Sequence, residues 1–298
     1  MKKIGDNVGG LRIAYASDLW LHLEFGSIEL KNNEGADVLI LAGDICLANK
    51  ITNYPDDILD LMHSQNGKIH RFFENCSKEF KHVIYVLGNH ENYQYEIKKS
   101  KKTLEKHLGY IKNLHILERE TFILDDVTFL GATLWTDMNN HDANTIERVS
   151  YAMNDFRIIY NSDATNDVNN ESTLSTNWDL PPKWTPLDAI VEFDKTVQWI
   201  DRVREELDIK KLVVITHHAP SFKSIHPDYI DQTLINGAYA SNLEQFIIDR
   251  PDILVWISGH IHHPQDYIIG ETKILANPRG YDGREAIADN FELAYVTV

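Results

Sequence analysis

Three histidines stand within four positions in the segment WISGHIHHP, which runs from Trp256 to Pro264. An apolar run leads directly into this cluster. Histidines at a strand end are often ordinary polar residues, but imidazole nitrogen is also a common metal ligand. The segment alone leaves both interpretations open, and the other strand ends of the chain must decide between them.

Residues of metal-ligating types follow five separate apolar runs. In chain order they are Asp18, Asp44, Asn89 with His90, His217 with His218, and His260 with His262. The carboxyl ends of strands in α/β sheets are where binding sites are built. Carboxylate, amide oxygen and imidazole suit Mn, Fe, Zn, Ni or Co. One such residue has an ordinary structural explanation, whereas five in a row indicate a metal site.

Seven short runs rich in β-branched and aliphatic residues predict the strands that carry these side chains. They are LRIAYAS (11–17), DVLILAG (37–43), HVIYVLG (82–88), VTFLGAT (127–133), KLVVIT (211–216), DILVWISG (252–259) and TKILAN (272–277). Near-continuous apolar runs of this kind favour strands buried on both faces. Stretches with helical character lie between several of them, at 57–79, 96–108, 187–207 and 240–249. This alternation predicts an α/β fold with a largely parallel sheet.

Residues 161–186, NSDATNDVNNESTLSTNWDLPPKWTP, have no apolar periodicity and are rich in Asn, Ser, Thr and Pro. Strands of the same type resume after them. We therefore interpret the segment as a long excursion within a single domain that spans residues 1–298, and not as a linker.

The charge and cysteine content limit the possible functions. Acidic residues outnumber basic ones 45 to 29 among 298 residues, which weighs against non-specific nucleic-acid binding. The two cysteines, Cys46 and Cys76, suggest no disulfide framework. The amino terminus lacks the apolar core of a signal peptide, and no apolar run approaches the roughly 20 residues of a membrane helix. We expect a cytoplasmic protein that does not enter the membrane.

Four motifs together resemble those of the calcineurin-like metallophosphoesterase superfamily: GDI (43–45), GNHE (88–91), THHAP (216–220) and GHIH (259–262). The resemblance extends from Arg12 to Tyr281. The segments GATLWTD (131–137) and NPRGY (277–281) resemble a bacterial and phage branch of it. The resemblance implies a four-layer α/β/β/α sandwich with two mixed sheets and two divalent metal ions at the strand ends.

The resemblance also implies a role for each motif residue. The implied metal ligands are Asp18, His22, Asp44, Asn89, His217, His260 and His262. Asp44 would bridge both ions, since a carboxylate has two oxygens. His90 would contact the phosphate or protonate the leaving group as the catalytic residue. His218 and Arg279 are candidate substrate contacts, and an arginine can bind phosphate through two parallel hydrogen bonds.

The first motif departs from the family pattern, which opens with Asp-x-His. In SDLWLHLEF the residue two after Asp18 is Trp20, and His22 follows as though two residues had been inserted. Either the loop bulges and His22 reaches the first ion, or that ligand is lost. We favour His22, because an indole has no lone pair to donate. The ligand in THHAP is also undecided between His217 and His218. A slip of one residue at the strand end reverses the side-chain direction and would make His218 the ligand.

The resemblance implies a metal-dependent phosphohydrolase in which two ions activate a hydroxide. The acidic charge favours a small-molecule substrate. We expect a phosphodiester, with a phosphomonoester as the alternative, and manganese is among the candidate ions. A nuclease of phage or repair type is the enzymatic alternative. A non-catalytic binding scaffold with the same fold is the alternative from another class, and metal content would distinguish it from the enzyme.

Overall fold

Apolar strands that are buried on both faces need a covering layer on each side, and here a second sheet provides one of the two. The computed structural model describes residues 10–23, 28–162, 181–207 and 209–298. In these ranges the strands are β1 (Arg12–Ala16), β2 (Val38–Ala42), β3 (His82–Val86), β4 (Leu114–Leu117), β5 (Glu120–Leu124), β6 (Val127–Ala132), β7 (Leu212–Thr216), β8 (Ile253–Ser258), β9 (Gln265–Ile269), β10 (Thr272–Ala276) and β11 (Ala294–Thr297).

The strands form two mixed sheets. The first has the order β11-β1-β2-β3-β4, in which β1 to β4 are parallel and β11 is antiparallel. The second has the order β5-β6-β7-β8-β10-β9, in which β6, β7, β8 and β10 are parallel and both edge strands are antiparallel. The parallel strands of each sheet therefore end at one common edge.

Ten α-helical segments lie between the strands in the described part of the chain. They are α1 (Ile58–His63), α2 (Gln65–Glu79), α3 (Ile97–Leu108), α4 (Met138–His141), α5 (Ala143–Ala152), α6 (Asp155–Ile158), α7 (Pro186–Leu207), α8 (Thr233–Asn236), α9 (Glu244–Ile248) and α10 (Ala286–Asp289). The sequence predicted one helix over 57–79, whereas the structure has two. Ser64 adopts an extended conformation there, and its hydroxyl caps α2 by accepting from the amide of Gly67 at 2.9 Å.

The four-layer α/β/β/α sandwich is confirmed. The inner faces of the two sheets pack against each other through branched side chains and aromatic rings such as Ile40, Ile84, Phe129 and Ile215. The outer face of the first sheet is covered by α2 and α3, and that of the second by α7 and α9. Each central strand is thus buried on both sides, which explains why its sequence reads as a continuous apolar run.

Helix α7 begins where the polar excursion ends. The backbone amide of Asp188 donates to the Thr185 hydroxyl at 3.2 Å, and the Asp188 carboxylate accepts from the Thr185 amide at 2.9 Å. This reciprocal cap, followed by Pro186 in the first turn, fixes the start of the helix. Most of the excursion expected at 161–186 lies outside the described residues, and the single-domain organisation stays a prediction. None of the described helices is long and apolar enough to cross a membrane.

The two sheets approach closely at Gly131 in β6. A Cβ atom at this position would lie 2.6 Å from Leu117 Cβ and 2.8 Å from Val86 Cγ1, both in the first sheet. We expect Gly131→Ala to lower the free energy of unfolding by about 1–3 kcal/mol, because the added methyl overfills the contact between the sheets. Denaturant unfolding of the purified variant measures this.

The matched control is Ile123→Thr in β5, which changes a side chain that is 57% exposed and keeps it β-branched. We expect this control to stay within about 0.5 kcal/mol of the parent chain. An alanine variant at residue 131 as stable as the control would contradict the close approach.

Candidate metal centre

The loops after β1, β2, β3, β7 and β8 meet at the common edge of the sandwich. They place five of the predicted ligands there, all of them buried: Asp18, Asp44, Asn89, His217 and His260. These side chains follow strands of both sheets, and the strands lie far apart in the sequence. The structure therefore brings together the candidate ligands that the sequence places at separate strand ends.

Asp44, His217 and His260 offer ligand atoms that lie within 4.8 Å of one another. His217 Nε2 lies 3.4 Å from Asp44 Oδ1 and 3.0 Å from Asn89 Oδ1. The other ring nitrogen, Nδ1, donates to the carbonyl of Ala42 at 2.9 Å, because a carbonyl can only accept. This hydrogen bond leaves Nε2 facing the cluster in the orientation that a metal ligand requires.

Asp18 and His262 form a second group beside the first. His262 Nε2 lies 3.6 Å from Asp18 Oδ1, and its Nδ1 donates to Glu285 Oε2 at 2.7 Å. Asp18 Oδ2 accepts from the backbone amide of His260 at 3.1 Å. A carboxylate behind a histidine in this way fixes the ring orientation of metal-binding histidines.

Several polar atoms at this edge are buried and have no hydrogen-bond partner. They are Asp18 Oδ1, His22 Nδ1, Asp44 Oδ2, His90 Nδ1 and His260 Nε2. Buried polar atoms are almost always paired, so a cluster of unpaired ones marks a place where a ligand would bind. Carboxylate oxygens with imidazole nitrogens form a set that suits divalent transition metals. The residues therefore fit the metal that the motifs imply.

Protonation of histidines at this edge balances the negative charge of the buried carboxylates. Burial raises the pKa of Asp44 to about 7. Burial alone would lower the pKa of His217, but the carboxylates of Asp44 and Asp18 raise it to about 10. Burial acts in the same way on His262, where Asp18 and Glu285 raise the pKa to about 9. The protonated histidines supply positive charge beside the carboxylates, where a bound cation would replace it.

Three of these side chains are carried by strained backbone. Asp18, Asp44 and His260 have φ angles of 54°, 57° and 65°, in the left-handed region that non-glycine residues seldom adopt. Each such residue costs about 1–3 kcal/mol, and such residues cluster at functional sites. A glycine is also required at residue 88, because a Cβ atom there would collide with Asp44 Oδ1.

Glu91 holds together the loops that follow β2 and β3. Its side chain is fully buried and accepts hydrogen bonds from the Tyr85 hydroxyl and from four backbone amides, those of Asp44, Ile45, Cys46 and Gly88, at 2.6–3.3 Å. The structure shows that it clamps the two loops.

A cavity of about 300 Å³ opens beside the candidate ligands. The His90 ring lies in its wall between the rings of Trp20 and Tyr93, with centroids 4.1 and 3.8 Å away. The His90 amide donates to Asp44 Oδ1 at 2.9 Å. Burial and the neighbouring histidines lower the pKa of His90 well below its usual range, so the ring is a neutral imidazole. The volume of the cavity is at the lower end of the range for small-molecule sites, roughly 300–1,000 Å³.

Trp20 occupies the position where the family pattern has its histidine, and its ring lines the cavity. His22 lies beside it, with its ring centroid 6.0 Å from that of Trp20 and 6.4 Å from that of His90. The half-buried His22 is not among the described residues that line the cavity, and burial lowers its pKa to about 4.

His218 and Arg279 also lie away from the lining that the structure describes. His218 is buried, donates through Nδ1 to the Thr133 carbonyl at 3.3 Å, and packs its ring against His260 at 4.4 Å. The guanidinium of Arg279 lies 3.3 Å from Asp282 Oδ1, and its backbone amide donates to the Ser17 carbonyl at 3.0 Å. Both residues support the strand-end loops in this structure.

The structure adds site residues that the sequence reasoning missed: Tyr93, Asp155, Tyr239, Tyr281 and Glu285. Only Tyr281 and Tyr93 had a signal, since Tyr281 ends NPRGY and Tyr93 follows GNHE by two residues. The others come from loops and short helices whose sequences carry no motif.

Replacing the Glu91 carboxylate tests its role as a clamp. We expect Glu91→Gln to lower the free energy of unfolding by about 2–4 kcal/mol, since an amide has one acceptor oxygen for five donors. It should also weaken metal binding, because the loop of Asp44 loses its anchor. Thermal unfolding and elemental analysis measure both effects. A variant with normal stability and metal content would contradict the clamp, and the exposed Glu105→Gln in α3 serves as the control.

Comparison with known proteins gives the same assignment as the geometry. Residues 14–264 match the profile of the calcineurin-like phosphoesterase family. An uncharacterized protein of Acanthamoeba polyphaga mimivirus is 28% identical over 242 residues, which cover 74% of this chain and 76% of the relative. A phosphopantetheinyl hydrolase from Mycobacterium tuberculosis shares the fold, with a TM-score of 0.62 and 13% identity over 97% of this chain and 96% of the other. The chain belongs to the calcineurin-like phosphoesterases and is a metal-dependent phosphoester hydrolase.

Proposed function

We propose that this enzyme hydrolyses a small-molecule phosphodiester with the help of two divalent metal ions. The observation that carries the proposal is the arrangement of two ligand groups around Asp44. Asp44 contacts His217 directly, and Asp18 with His262 forms a neighbouring group joined to it through the loop of His260.

Two sets of ligands follow from this arrangement. The first ion is assigned to Asp18, His22, Asp44 and His262, and the second to Asp44, Asn89, His217 and His260. Divalent ions held by these residues would polarise a phosphoryl group and lower the pKa of a coordinated water. Nitrogen and oxygen ligands without a thiolate suit manganese, with Fe, Zn, Ni and Co as alternatives.

His90 is the residue of this chain that we assign to the reacting group. Its ring is held between Trp20 and Tyr93 and lines the cavity beside Asp44. A neutral imidazole there donates one hydrogen bond, either to a phosphoryl oxygen or to the leaving oxygen as charge develops on it. The packed position keeps the ring from turning away, so the hydrogen bond costs little reorganisation.

The lining of the cavity supports a diester over a monoester. Among the described residues that line it there is no lysine or arginine, whereas Asp155 and Glu285 are carboxylates. A phosphodiester carries one negative charge, and a phosphomonoester carries close to two near neutral pH. A nucleic acid would bring further phosphates to this acidic wall and to a chain of net charge −16. The cytoplasmic location stays a prediction.

Metal removal and replacement test the chemistry. We expect metal-stripped protein to lose hydrolysis of bis-p-nitrophenyl phosphate and to regain it with Mn, because the ions activate the nucleophile. The diester should be cleaved faster than p-nitrophenyl phosphate. Release of p-nitrophenolate measures both rates. Cleavage of the monoester alone would refute the diester preference, and a folded protein that no divalent ion activates would refute the two-metal mechanism.

Substitution of single ligands tests the assignment of the two ions. We expect Asp44→Asn to lose both ions and to lower hydrolysis at least about 100-fold, since loss of an outer partner alone costs about 10–100-fold. His22→Ala and His260→Ala should each lower the metal content from two ions to one. Elemental analysis of the purified variants measures the content. The exposed His63→Ala is the control, and an unchanged ion count in His22→Ala would remove His22 from the ligand set.

A further inference from the structure

One buried carboxylate in the cavity is not among the candidate metal ligands. Asp155 is 3% exposed, lines the cavity, and lies at the start of α6. Its Oδ2 accepts from the Tyr93 hydroxyl at 3.4 Å, and its Oδ1 has no hydrogen-bond partner. In the described part of the chain Asp155 makes no ion pair with a lysine or arginine. Burial raises the pKa of Asp155 despite the hydrogen bonds from Asn89 and Tyr93 and the nearby charge of His217, so a cation bound in the cavity would stabilise the ionised carboxylate.

The wall around Asp155 is aromatic. Five aromatic side chains line the cavity, namely Trp20, Tyr93, Tyr229, Tyr239 and Tyr281. The Tyr93 ring lies 3.8 Å from the His90 ring, and the Tyr239 ring lies 4.7 Å from the His260 ring. The aromatic wall therefore begins where the candidate metal ligands end. Tyr229 is 56% exposed and lies at the open side.

We propose that the wall formed by Asp155 and these aromatic rings binds a protonated amine or quaternary ammonium group on the phosphodiester substrate. The inference rests on the proposed function and specifies its substrate class. Aromatic faces and a carboxylate both attract a cation. An apolar substituent would leave Asp155 Oδ1 buried and unpaired. A substituent with a second phosphate or a carboxylate would be repelled by Asp155, whereas the Glu285 carboxylate is already paired with His262.

Two esters that differ only in charge test the proposal. One is p-nitrophenyl phosphorylcholine, and the other is 3,3-dimethylbutyl p-nitrophenyl phosphate, in which carbon replaces the quaternary nitrogen. They share shape and leaving group, so their ratio of kcat/KM in the manganese-loaded enzyme isolates the positive charge. We expect a ratio of roughly 10 in favour of the choline ester. Equal values, or a preference for the neutral ester, would overturn the proposal.

Asp155→Asn tests whether this carboxylate is the source of the preference. We expect the ratio to fall toward 1 in this variant, since the amide keeps the shape and loses the charge. Any damage to the metal centre through Tyr93 affects both esters alike and cancels in the ratio. Asp266→Asn, which removes an exposed carboxylate on β9, is the matched control and should keep the parent ratio. A full preference in Asp155→Asn would overturn the role of Asp155.

Tyr239→Leu removes one aromatic face and gives a second variant should Asp155→Asn fail to fold. We expect it to lower the ratio several-fold, and an unchanged ratio would count against the aromatic wall.

Binding separates a failure of the proposed function from a failure of this inference. If neither ester is hydrolysed, the diesterase assignment fails, and titration calorimetry with choline and its neutral isostere 3,3-dimethylbutanol still tests the wall. Tighter binding of choline, lost in Asp155→Asn, would support the cation site. Equal or absent binding of the two probes would overturn it.

Discussion

The geometry of the metal centre depends on one buried carboxylate that is not itself a candidate ligand. Glu91 accepts hydrogen bonds from amides of two loops, one after β2 and one after β3. Hydrogen bonds to the charged form make such burial tolerable without a cation. Asp44 lies in the first loop, and Asn89 and His90 lie in the second, directly before Glu91 in the chain. The relative position of these three side chains is therefore set by a single anchor, and the strained φ of Asp44 is held in place by it.

The sequence predicted the centre of the fold and the edge where the site lies, because double-sided burial leaves a strong local signal. The seven apolar runs all became strands, and their ends carry the motif residues. The strands β4, β5, β9 and β11 were missed. All four are edge strands that face solvent on part of their surface, and β5 has no fully buried residue. Their pairing is decided by the neighbouring strand and leaves little local pattern.

The cavity was harder to predict than the metal ligands for a physical reason. Ligands must match a metal in type and spacing, so they form motifs such as GHIH. The cavity wall only has to supply surface, and it draws Tyr93, Asp155, Tyr239 and Tyr281 from separate loops that fold against one another. The inserted residues in SDLWLH illustrate the limit. They place Trp20 at the site with its ring stacked on Tyr281 at 4.8 Å, so that an apolar ring adjoins His90 and His262. This arrangement depends on the NPRGY turn, which lies at the other end of the chain.

The origin of the ligands in both sheets has a consequence for the lifetime of the protein. Asp18, Asp44 and Asn89 belong to the first sheet, whereas His217, His260 and His262 belong to the second. An ion bound between them would join the two halves of the sandwich, in addition to hydrogen bonds that already cross at this edge, such as those from His217 to the Ala42 carbonyl and from the His260 amide to Asp18. By mass action such an ion stabilises the folded state in proportion to the logarithm of its free concentration. Metal supply would then set how long the chain survives proteolysis, and starvation for the ion would reduce the amount of enzyme as well as its activity.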